Sequence, residues 1–172
     1  AKPNKGHIAL AHLEKMGYLK GIITQNIDNL HQDAGSTVVI EYHGNARYLE
    51  CQCCGKVTPV GDFDLSSRIA PKCDACKVIL KPSVVFFGEM IPEDALRQSN
   101  YMSSKADVVL VVGTSAVVYP AAAIPLTAKH TGATIIEFNI ERTELTSQGT
   151  DIFVEGSAGV TLPELVRLLE KA

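Results

Sequence analysis

The sequence predicts an α/β fold in which a doubly wound parallel sheet carries a small inserted module. Short apolar, β-branched runs alternate with segments of helical periodicity, the pattern of a parallel sheet covered by helices on both faces. Between residues 45 and 82 this alternation stops, and all five cysteines of the chain lie there. With 172 residues the chain is long enough for one core and one small insertion.

In chain order, the predicted elements are a helix over 5–16, strands over 19–24 and 38–42 with a helical turn over 29–34 between them, a strand over 81–87, a helix over 92–103, a strand over 106–112, a helix over 120–129, strands over 133–138 and 152–155, and a final helix from 161. Asn4 is the expected N-cap of the first helix, and Gly17 its stop. The run over 106–112 is continuous and β-branched, as buried parallel strands are.

Two features of the later helices also make predictions. Pro125 lacks an N–H and should shorten or kink the helix over 120–129. Thr161 and Glu164 have the spacing of a capping box, so the final helix is expected to begin there. Its apolar residues recur at helical spacing and predict one core-facing stripe, made of Leu162, Leu165, Val166 and Leu169.

Charge and hydropathy exclude several classes of partner. The formal net charge of −3 gives no electrostatic reason to expect binding to nucleic acid or to an anionic membrane. No apolar run approaches the ~18 residues that a membrane helix needs. No signal peptide is visible, and we predict a cytoplasmic location. The chain begins with Ala1 rather than with Met, which indicates a fragment or a processed product.

The cysteines predict a metal site. Cys51 and Cys54 form one C-x-x-C pair and Cys73 and Cys76 a second, a spacing typical of a structural zinc site with four thiolates. An odd number of clustered cysteines argues against a disulfide framework, although two disulfides remain an alternative. Four thiolates would leave no open position for water, so the predicted Zn²⁺ is structural. Cys53 is interpreted as a free thiol.

Polar residues follow the predicted strands at five places, and by strand direction these places should meet at one edge of the sheet. They are Gln25, Asn26 and Asp28; His43 and Gly44; Gly113, Thr114 and Ser115; Asn139 and Glu141; and Gly156, Ser157 and Ala158. Gly113 permits close approach of backbone to a ligand, and the following helix offers N–H groups to an anion. Asn139 and Glu141 are suited to bind ribose hydroxyls or an adenine. Together the five places predict a nucleotide site.

Several motifs occur in an order that resembles one known family. They are ITQNIDNLHQDAG at 23–35, HG at 43–44, the paired C-x-x-C turns, PSVVFFGE at 82–89, GTSAVVYPAA at 113–122 and FNIERT at 138–143. Together they resemble the sirtuin family of NAD-dependent protein lysine deacylases, in its bacterial and archaeal form. The resemblance extends from Asn4 to the final helix. It implies a Rossmann-like NAD-binding domain over 1–44 and 83–172 and a zinc module over 45–82.

The resemblance also implies a reaction. NAD would lie along the sheet edge as co-substrate, and a protein or peptide carrying an acyl-lysine would enter between the two domains. The acyl oxygen would attack the nicotinamide ribose and release nicotinamide. His43 would then act as general base on a ribose hydroxyl, since an imidazole exchanges protons near neutral pH. The products would be deacylated lysine and O-acyl-ADP-ribose.

The family's motifs imply a role for each matching residue. The residues implied to be catalytic are His43, Asn26 and Asp28. The residues implied to bind NAD are Gln25, Asn26, Ile27, Asp28, Gly113, Thr114, Ser115, Asn139, Ile140, Glu141 and Ala158. The residues implied to bind the substrate are Val85, Phe86, Gly88, Glu89 and Val118. An extended substrate that pairs through its main chain would tolerate many sequences.

Two segments typical of the family, a GAGxS turn with its preceding strand and an FRG-like loop, do not occur in this sequence. We therefore expect the chain to start after them, and we expect the isolated chain to bind NAD weakly or to be inactive. The preference among acetyl, longer and acidic acyl groups stays open, because the Tyr-x-x-Arg pair of some members would also lie upstream.

Two other functions stay open. The same pocket in an ADP-ribosyltransferase would pass ADP-ribose to a protein side chain. A non-catalytic module would bind acyl-lysine peptides along residues 84–88, and its peptide binding would be indifferent to NAD and to His43. Detection of O-acetyl-ADP-ribose or of labelled protein separates the first alternative from a deacylase.

Overall fold

The computed structural model describes residues 1–67 and 69–171. Within them the helices are α1 (Lys5–Lys15), α2 (Leu30–Asp33), α3 (Glu93–Ser104), α4 (Ala123–His130), α5 (Glu144–Gln148) and α6 (Ala158–Leu169). The strands are β1 (Ile22–Thr24), β2 (Val39–Glu41), β3 (Gly44–Glu50), β4 (Val57–Pro59), β5 (Lys81–Val84), β6 (Val108–Val112), β7 (Thr134–Asn139) and β8 (Ile152–Glu155). None of these helices combines the length and the apolar character needed to span a bilayer.

The parallel strands form two groups. Strand β1 pairs with β2, and β7 pairs with β6 on one side and with β8 on the other. Among the described residues, no ladder of hydrogen bonds joins the two groups. Strand β6 is therefore an edge strand, and Val108 is half exposed while Val111 is buried. The expectation that this strand is buried throughout is thus wrong.

Helices cover both faces of the larger parallel group, as a doubly wound sheet requires. One apolar cluster contains Ile22 of β1, Phe138 of β7, Leu13 of α1 and Leu162 of α6, and it links the two parallel groups. A second cluster contains Ile135 of β7 and residues of α4 and α5. Because alternate residues of a strand point to opposite faces, Ile135 and Phe138 separate these clusters onto the two sides of the sheet.

The predicted start of the first helix is confirmed. The Asn4 side-chain oxygen accepts hydrogen bonds from the backbone N–H groups of Gly6 and His7, at 2.8 and 3.1 Å. Gly17, just beyond the helix, has a φ of +82°, which glycine adopts without strain. The predicted apolar stripe of α6 is also confirmed, because its four residues pack in the first cluster.

The predicted capping box of the last helix is wrong. Helix α6 begins at Ala158, so Thr161 and Glu164 lie inside it. Ser157 has an extended backbone at the N-cap, and its carbonyl oxygen accepts from Thr161 N at 3.0 Å. Glu164 instead binds Arg167 on the next turn.

Two other boundaries differ from the prediction because of local turns. Helix α4 starts only at Ala123, which places Pro125 in the first turn, where its missing N–H leaves no bond unmade. Strand β5 ends at Val84 rather than at Phe87, because Glu89 N donates to Phe86 O at 3.0 Å in a turn. Helix α5 was not predicted.

The insertion is an antiparallel sheet in which β3 lies between β4 and β5. Strand β3 begins, and strand β5 ends, beside the parallel strands. Their pairing therefore spans the predicted domain boundaries at residues 44 and 83. The division into two domains stays a prediction.

Candidate active site and metal centre

The four paired cysteines converge on one point. The Sγ atoms of Cys51, Cys54, Cys73 and Cys76 all lie within 4.8 Å of one another, and those of Cys54 and Cys73 are 3.8 Å apart. A tetrahedral Zn²⁺ with Zn–S bonds of about 2.3 Å places its sulfurs roughly 3.8 Å apart. The donor set thus fits Zn²⁺ and fills its coordination, which makes the site structural. Cys53 is exposed.

Each pair lies on a turn of the same form. Gly55 N donates to Cys51 O, and Lys77 N donates to Cys73 O, both at 2.8 Å. Gly55 has a φ of +70° and Lys77 a φ of +60°. The left-handed conformation in the first turn explains the glycine at that position. The same position in the second turn is occupied by a lysine, so the sequence did not indicate a left-handed residue there.

The electrostatics of the cluster favour a cation. The backbone N–H groups of Cys54 and Cys53 lower the pKa of Cys51 to about 7, which favours its thiolate. The neighbouring Cys54 sulfur raises the pKa of Cys76, so the four sulfurs do not readily ionise together by themselves. A bound metal ion removes this conflict because it deprotonates coordinating thiols.

His43 lies between β2 and β3, where the parallel and antiparallel sheets meet. Its Nδ1 atom is 3.2 Å from the backbone oxygen of Gln25. Because a carbonyl oxygen only accepts hydrogen bonds, Nδ1 carries a proton, and in the neutral imidazole Nε2 is then the nitrogen with the free lone pair. The imidazole also packs edge-on against the buried ring of Tyr42, with centroids 5.6 Å apart. The ring is thereby held in one orientation.

Backbone hydrogen bonds from three directions hold the chain around His43. Tyr42 N donates to Thr24 O, Ala46 N to Ile27 O, and Val85 N to His43 O, each at 2.9 Å. The predicted catalytic histidine, the loop after β1 and the start of the predicted substrate segment are thus fixed to one another.

The loop after β1 presents polar side chains to solvent. Asn26, Ile27 and Asp28 are exposed. Thr24 Oγ1 accepts from Asn26 N at 3.1 Å, and Asp28 Oδ1 accepts from Leu30 N at 3.0 Å, which shapes the loop and orients the carboxylate. An amide and a carboxylate therefore lie on the same loop as the carbonyl that binds His43.

A polar network centred on the buried Asn45, which the sequence did not indicate, supports this loop. Asn45 is 4% exposed, and its amide donates to Asn29 Oδ1 at 2.8 Å and to Glu41. Asn29 has a φ of +64°, and its own amide donates to Asp33 Oδ1 at 2.9 Å. Asn45, which follows His43 and Gly44, is thereby bonded to the residue that follows Asp28.

A second polar group lies at the ends of β6 and β7. Residues 113–115 and 139–143 line a cleft of about 240 Å³. Asn139 does not point freely into it, because its amide donates to Thr114 O at 2.9 Å and its oxygen accepts from Ile140 N at 2.9 Å. Asn139 thus joins the two loops that form the cleft. Gly156 N donates to Asn139 O at 2.8 Å, whereas Ala158, at the start of α6, packs against the first apolar cluster and is not among the residues that line the cleft. Its contact with NAD stays a prediction.

The predicted substrate segment leaves β5 and turns. Lys81 Nζ donates to Glu89 Oε2 at 2.7 Å and to Val84 O at 2.9 Å, and it lies 4.8 Å from the centroid of the Phe86 ring. Glu89 Oε2 also accepts from Phe86 N at 2.9 Å. The hydrogen bond from Lys81 lowers the pKa of Glu89 below its ordinary value. The ring of Phe87 is 100% exposed.

The predicted site residues therefore fall into two hydrogen-bonded groups. Gln25 and Ile27 are joined to the segment around His43, and His43 to Val85, whereas Thr114 and Asn139 line the cleft. No hydrogen bond links the two groups within residues 1–67 and 69–171. The arrangement of all five polar loops as one site stays a prediction.

Comparisons with known proteins decide which family has this arrangement. The model of the Sir2 family matches residues 1–120. An NAD-dependent protein deacylase of Pyrococcus furiosus is 48% identical over 175 residues, a match that covers 99% of this chain and 70% of that protein. NAD-dependent protein deacylase 1 of Archaeoglobus fulgidus is 47% identical over 172 residues, covering 100% and 69%.

The chain belongs to the Sir2 family. The crystal structure of a Sir2 homolog–NAD complex superposes with a TM-score of 0.94 at 46% identity, covering 99% of this chain and 66% of that one. A Sir2–p53 peptide–NAD⁺ structure superposes with a TM-score of 0.92 at 38% identity, covering 100% and 72%. These matches confirm the predicted fold class and the predicted Sir2 enzyme class.

Proposed function

We propose that this chain carries the part of an NAD-dependent protein lysine deacylase that holds the catalytic base. The observation that supports it most is the bond between His43 Nδ1 and the backbone oxygen of Gln25, at 3.2 Å. This bond leaves Nε2 as the nitrogen that can take a proton. The exposed side chains of Asn26 and Asp28 lie on the same loop as Gln25.

In this proposal His43 removes a proton from a sugar hydroxyl. When Nε2 accepts that proton, the positive charge of the ring is stabilised at Nδ1–H by the Gln25 carbonyl dipole. The carbonyl belongs to the backbone, and Tyr42 holds the ring, so no side-chain rearrangement is needed for the transfer. General base catalysis of this kind is typically worth about 10²–10⁴-fold in rate.

NAD, when bound, supplies the ADP-ribosyl group that accepts the acyl oxygen. We propose that the cleft between residues 113–115 and 139–143 holds a sugar of this nucleotide, with Ser115 and Glu141 as polar contacts. Asn26, Ile27 and Asp28 would contact the nicotinamide side. Gly113, at a φ of +58° with nothing within 4 Å of a built Cβ, lets the backbone approach the ligand.

The second substrate would be an acyl-lysine in a protein or peptide. The segment of Val85, Phe86 and Gly88 follows β5 directly and is tied to His43 through Val85 N, so a strand added there would bring its lysine towards the base. Val118 is 40% exposed and would contact the lysine stem. The module over 45–82 and the NAD-binding part over 1–44 and 83–172 would lie on either side. The clustered thiols favour a cytoplasmic location for this chemistry.

The products of one incubation separate the candidate functions. The chain is mixed with NAD and an acetyl-lysine peptide, and the products are identified by mass spectrometry. Deacetylated peptide together with O-acetyl-ADP-ribose is the expected result when NAD is supplied in large excess, which offsets the weak NAD binding expected of the isolated chain. ADP-ribose attached to protein would instead support a transferase, and peptide binding that is unaffected by NAD, without turnover, would support a non-catalytic module.

A further inference from the structure

A buried carboxylate beside the cleft has no part in the proposed reaction. Glu137 lies in β7 and is 1% exposed. Its two oxygens accept hydrogen bonds from three threonine hydroxyls, those of Thr143 at 2.6 Å, Thr146 at 2.8 Å and Thr150 at 2.7 Å. A buried carboxylate is costly unless its oxygens are well bonded, so this arrangement needs an explanation.

The hydrogen-bond donors show what the carboxylate holds. Among the described residues, no lysine, arginine or histidine nitrogen lies within 4.0 Å of Glu137 to form an ion pair. Its three partners precede α5, lie within it and follow it. Thr143 N also donates to Thr146 Oγ1 at 2.9 Å, which ties the first two donors together. Glu137 therefore fixes α5 along its whole length to the strand.

One of these donors is also part of the cleft. Thr143 lines it, together with residues 140–142 that connect β7 to α5. At the start of this connection, the Asn139 amide donates to Thr114 O. Within it, the Arg142 guanidinium lies 4.7 Å from the Phe153 ring centroid. The position of the segment over 140–142 thus depends on anchors at both ends, and Glu137 provides the second.

We propose that Glu137 is a positioning residue of the nucleotide cleft. Through Thr143 it holds residues 140–142, and with them Glu141, in the conformation that contacts the ribose. This inference rests on the proposed function of the cleft. It differs from a purely structural role, in which the three hydroxyl bonds would only stabilise α5 and each would matter equally to ligand binding.

Two threonines provide a matched comparison. Thr143 and Thr150 donate to the same carboxylate, but only Thr143 is among the residues that line the cleft. Replacement by valine removes either hydroxyl at nearly constant shape. Thr143→Ser keeps the hydroxyl and serves as the rescue. Amide hydrogen exchange over residues 140–143, ADP-ribose titration by calorimetry and thermal unfolding are measured for each variant.

We expect Thr143→Val to speed amide exchange over 140–143 and to weaken ADP-ribose binding, each about tenfold, the effect of one charge-assisted hydrogen bond. Thr143→Ser should restore both. Thr150→Val should lower the melting temperature to a similar degree and leave both quantities nearly unchanged. Equal weakening by the two valine variants, or unchanged exchange in Thr143→Val, would overturn the proposal. If the unaltered chain takes up no ADP-ribose, the proposed function fails, and this inference fails with it.

Discussion

Replacing Gly44 by alanine should disrupt the junction that holds His43. Gly44 has a φ of +77°, and a Cβ built there would lie 2.2 Å from Ser83 O and 3.0 Å from the Val84 Cα. Both atoms belong to the backbone of β5, which cannot rotate away as a flexible side chain can. Strand β5 must therefore move away from β3, or Gly44 must change its backbone conformation.

The cost can be worked from these contacts. A residue with a Cβ loses about 1–2 kcal/mol in the left-handed conformation. Moving β5 strains the packing and weakens the bond from Val85 N to His43 O, which adds roughly 2 kcal/mol. We therefore expect Gly44→Ala to lower the free energy of unfolding by about 3–4 kcal/mol, a large fraction of the stability of an ordinary domain.

Urea unfolding of the zinc-loaded chain measures this cost, with Gly17→Ala as the matched control. Gly17 has a nearly equal φ of +82°, but nothing lies within 4 Å of its built Cβ. The control should therefore lose only the conformational term of about 1–2 kcal/mol. Equal losses in the two variants would show that the contact with β5 has no energetic weight and would refute the reasoning.

Three further predictions follow from the same structure. Cys73→Ser should abolish binding of one Zn²⁺ per chain and expose residues 45–82 to hydrogen exchange first, since the metal supplies on the order of 10 kcal/mol to such modules. Cys53→Ser, which changes an exposed thiol, should leave both measurements unchanged. Lys81→Met should raise the KM for peptide about 2–10-fold by releasing Glu89 and Phe86, with the KM for NAD unchanged. Lys56→Met, which breaks only an exposed pair with Asp74, is its control, and an equal change in both KM values would contradict the assigned role. Asn45→Ala should cost about 1–3 kcal/mol in urea unfolding by removing hydrogen bonds to two partly buried acceptors, and Asn45→Asp should cost more because it adds a carboxylate beside Glu41. Equal stability of Asn45→Ala and the unaltered chain would argue against that network.

The features that the sequence predicted well depend on local spacing. Asn4 and Gly17 define the ends of α1 through backbone groups a few residues away. The two C-x-x-C turns bring four sulfurs together because each turn aims its pair by itself. Periodicity likewise identified the buried face of α6, whose packing is a property of one helix.

The features that the sequence predicted poorly depend on competition or on distant partners. Thr161 and Glu164 have the spacing of a capping box, but α6 begins three residues before Thr161, with Ser157 at the N-cap position. The strand over 81–87 stops early because Lys81 and Glu89, eight residues apart, stabilise a turn. No role was predicted for Glu137, whose three hydroxyl partners lie six, nine and thirteen residues further along the chain. Three threonines at helical spacing, at 143, 146 and 150, were the one available signal that α5 presents hydroxyls to it.

The formation of O-acetyl-ADP-ribose, measured with and without His43, tests the central proposal most directly. The unaltered chain, His43→Ala and His12→Ala are each incubated with NAD and an acetyl-lysine peptide. His12 is an exposed histidine of α1 whose Nε2 lies 3.6 Å from Glu170 Oε1, and it makes no hydrogen bond to a predicted site residue within the described part of the chain, so its loss should have no effect. With NAD in large excess, which offsets the weak NAD binding expected of the isolated chain, we predict that product forms at the same rate in the unaltered chain and in His12→Ala, and about 10² to 10⁴ times more slowly in His43→Ala. Product formation that is as fast without the His43 imidazole as with it would contradict the account.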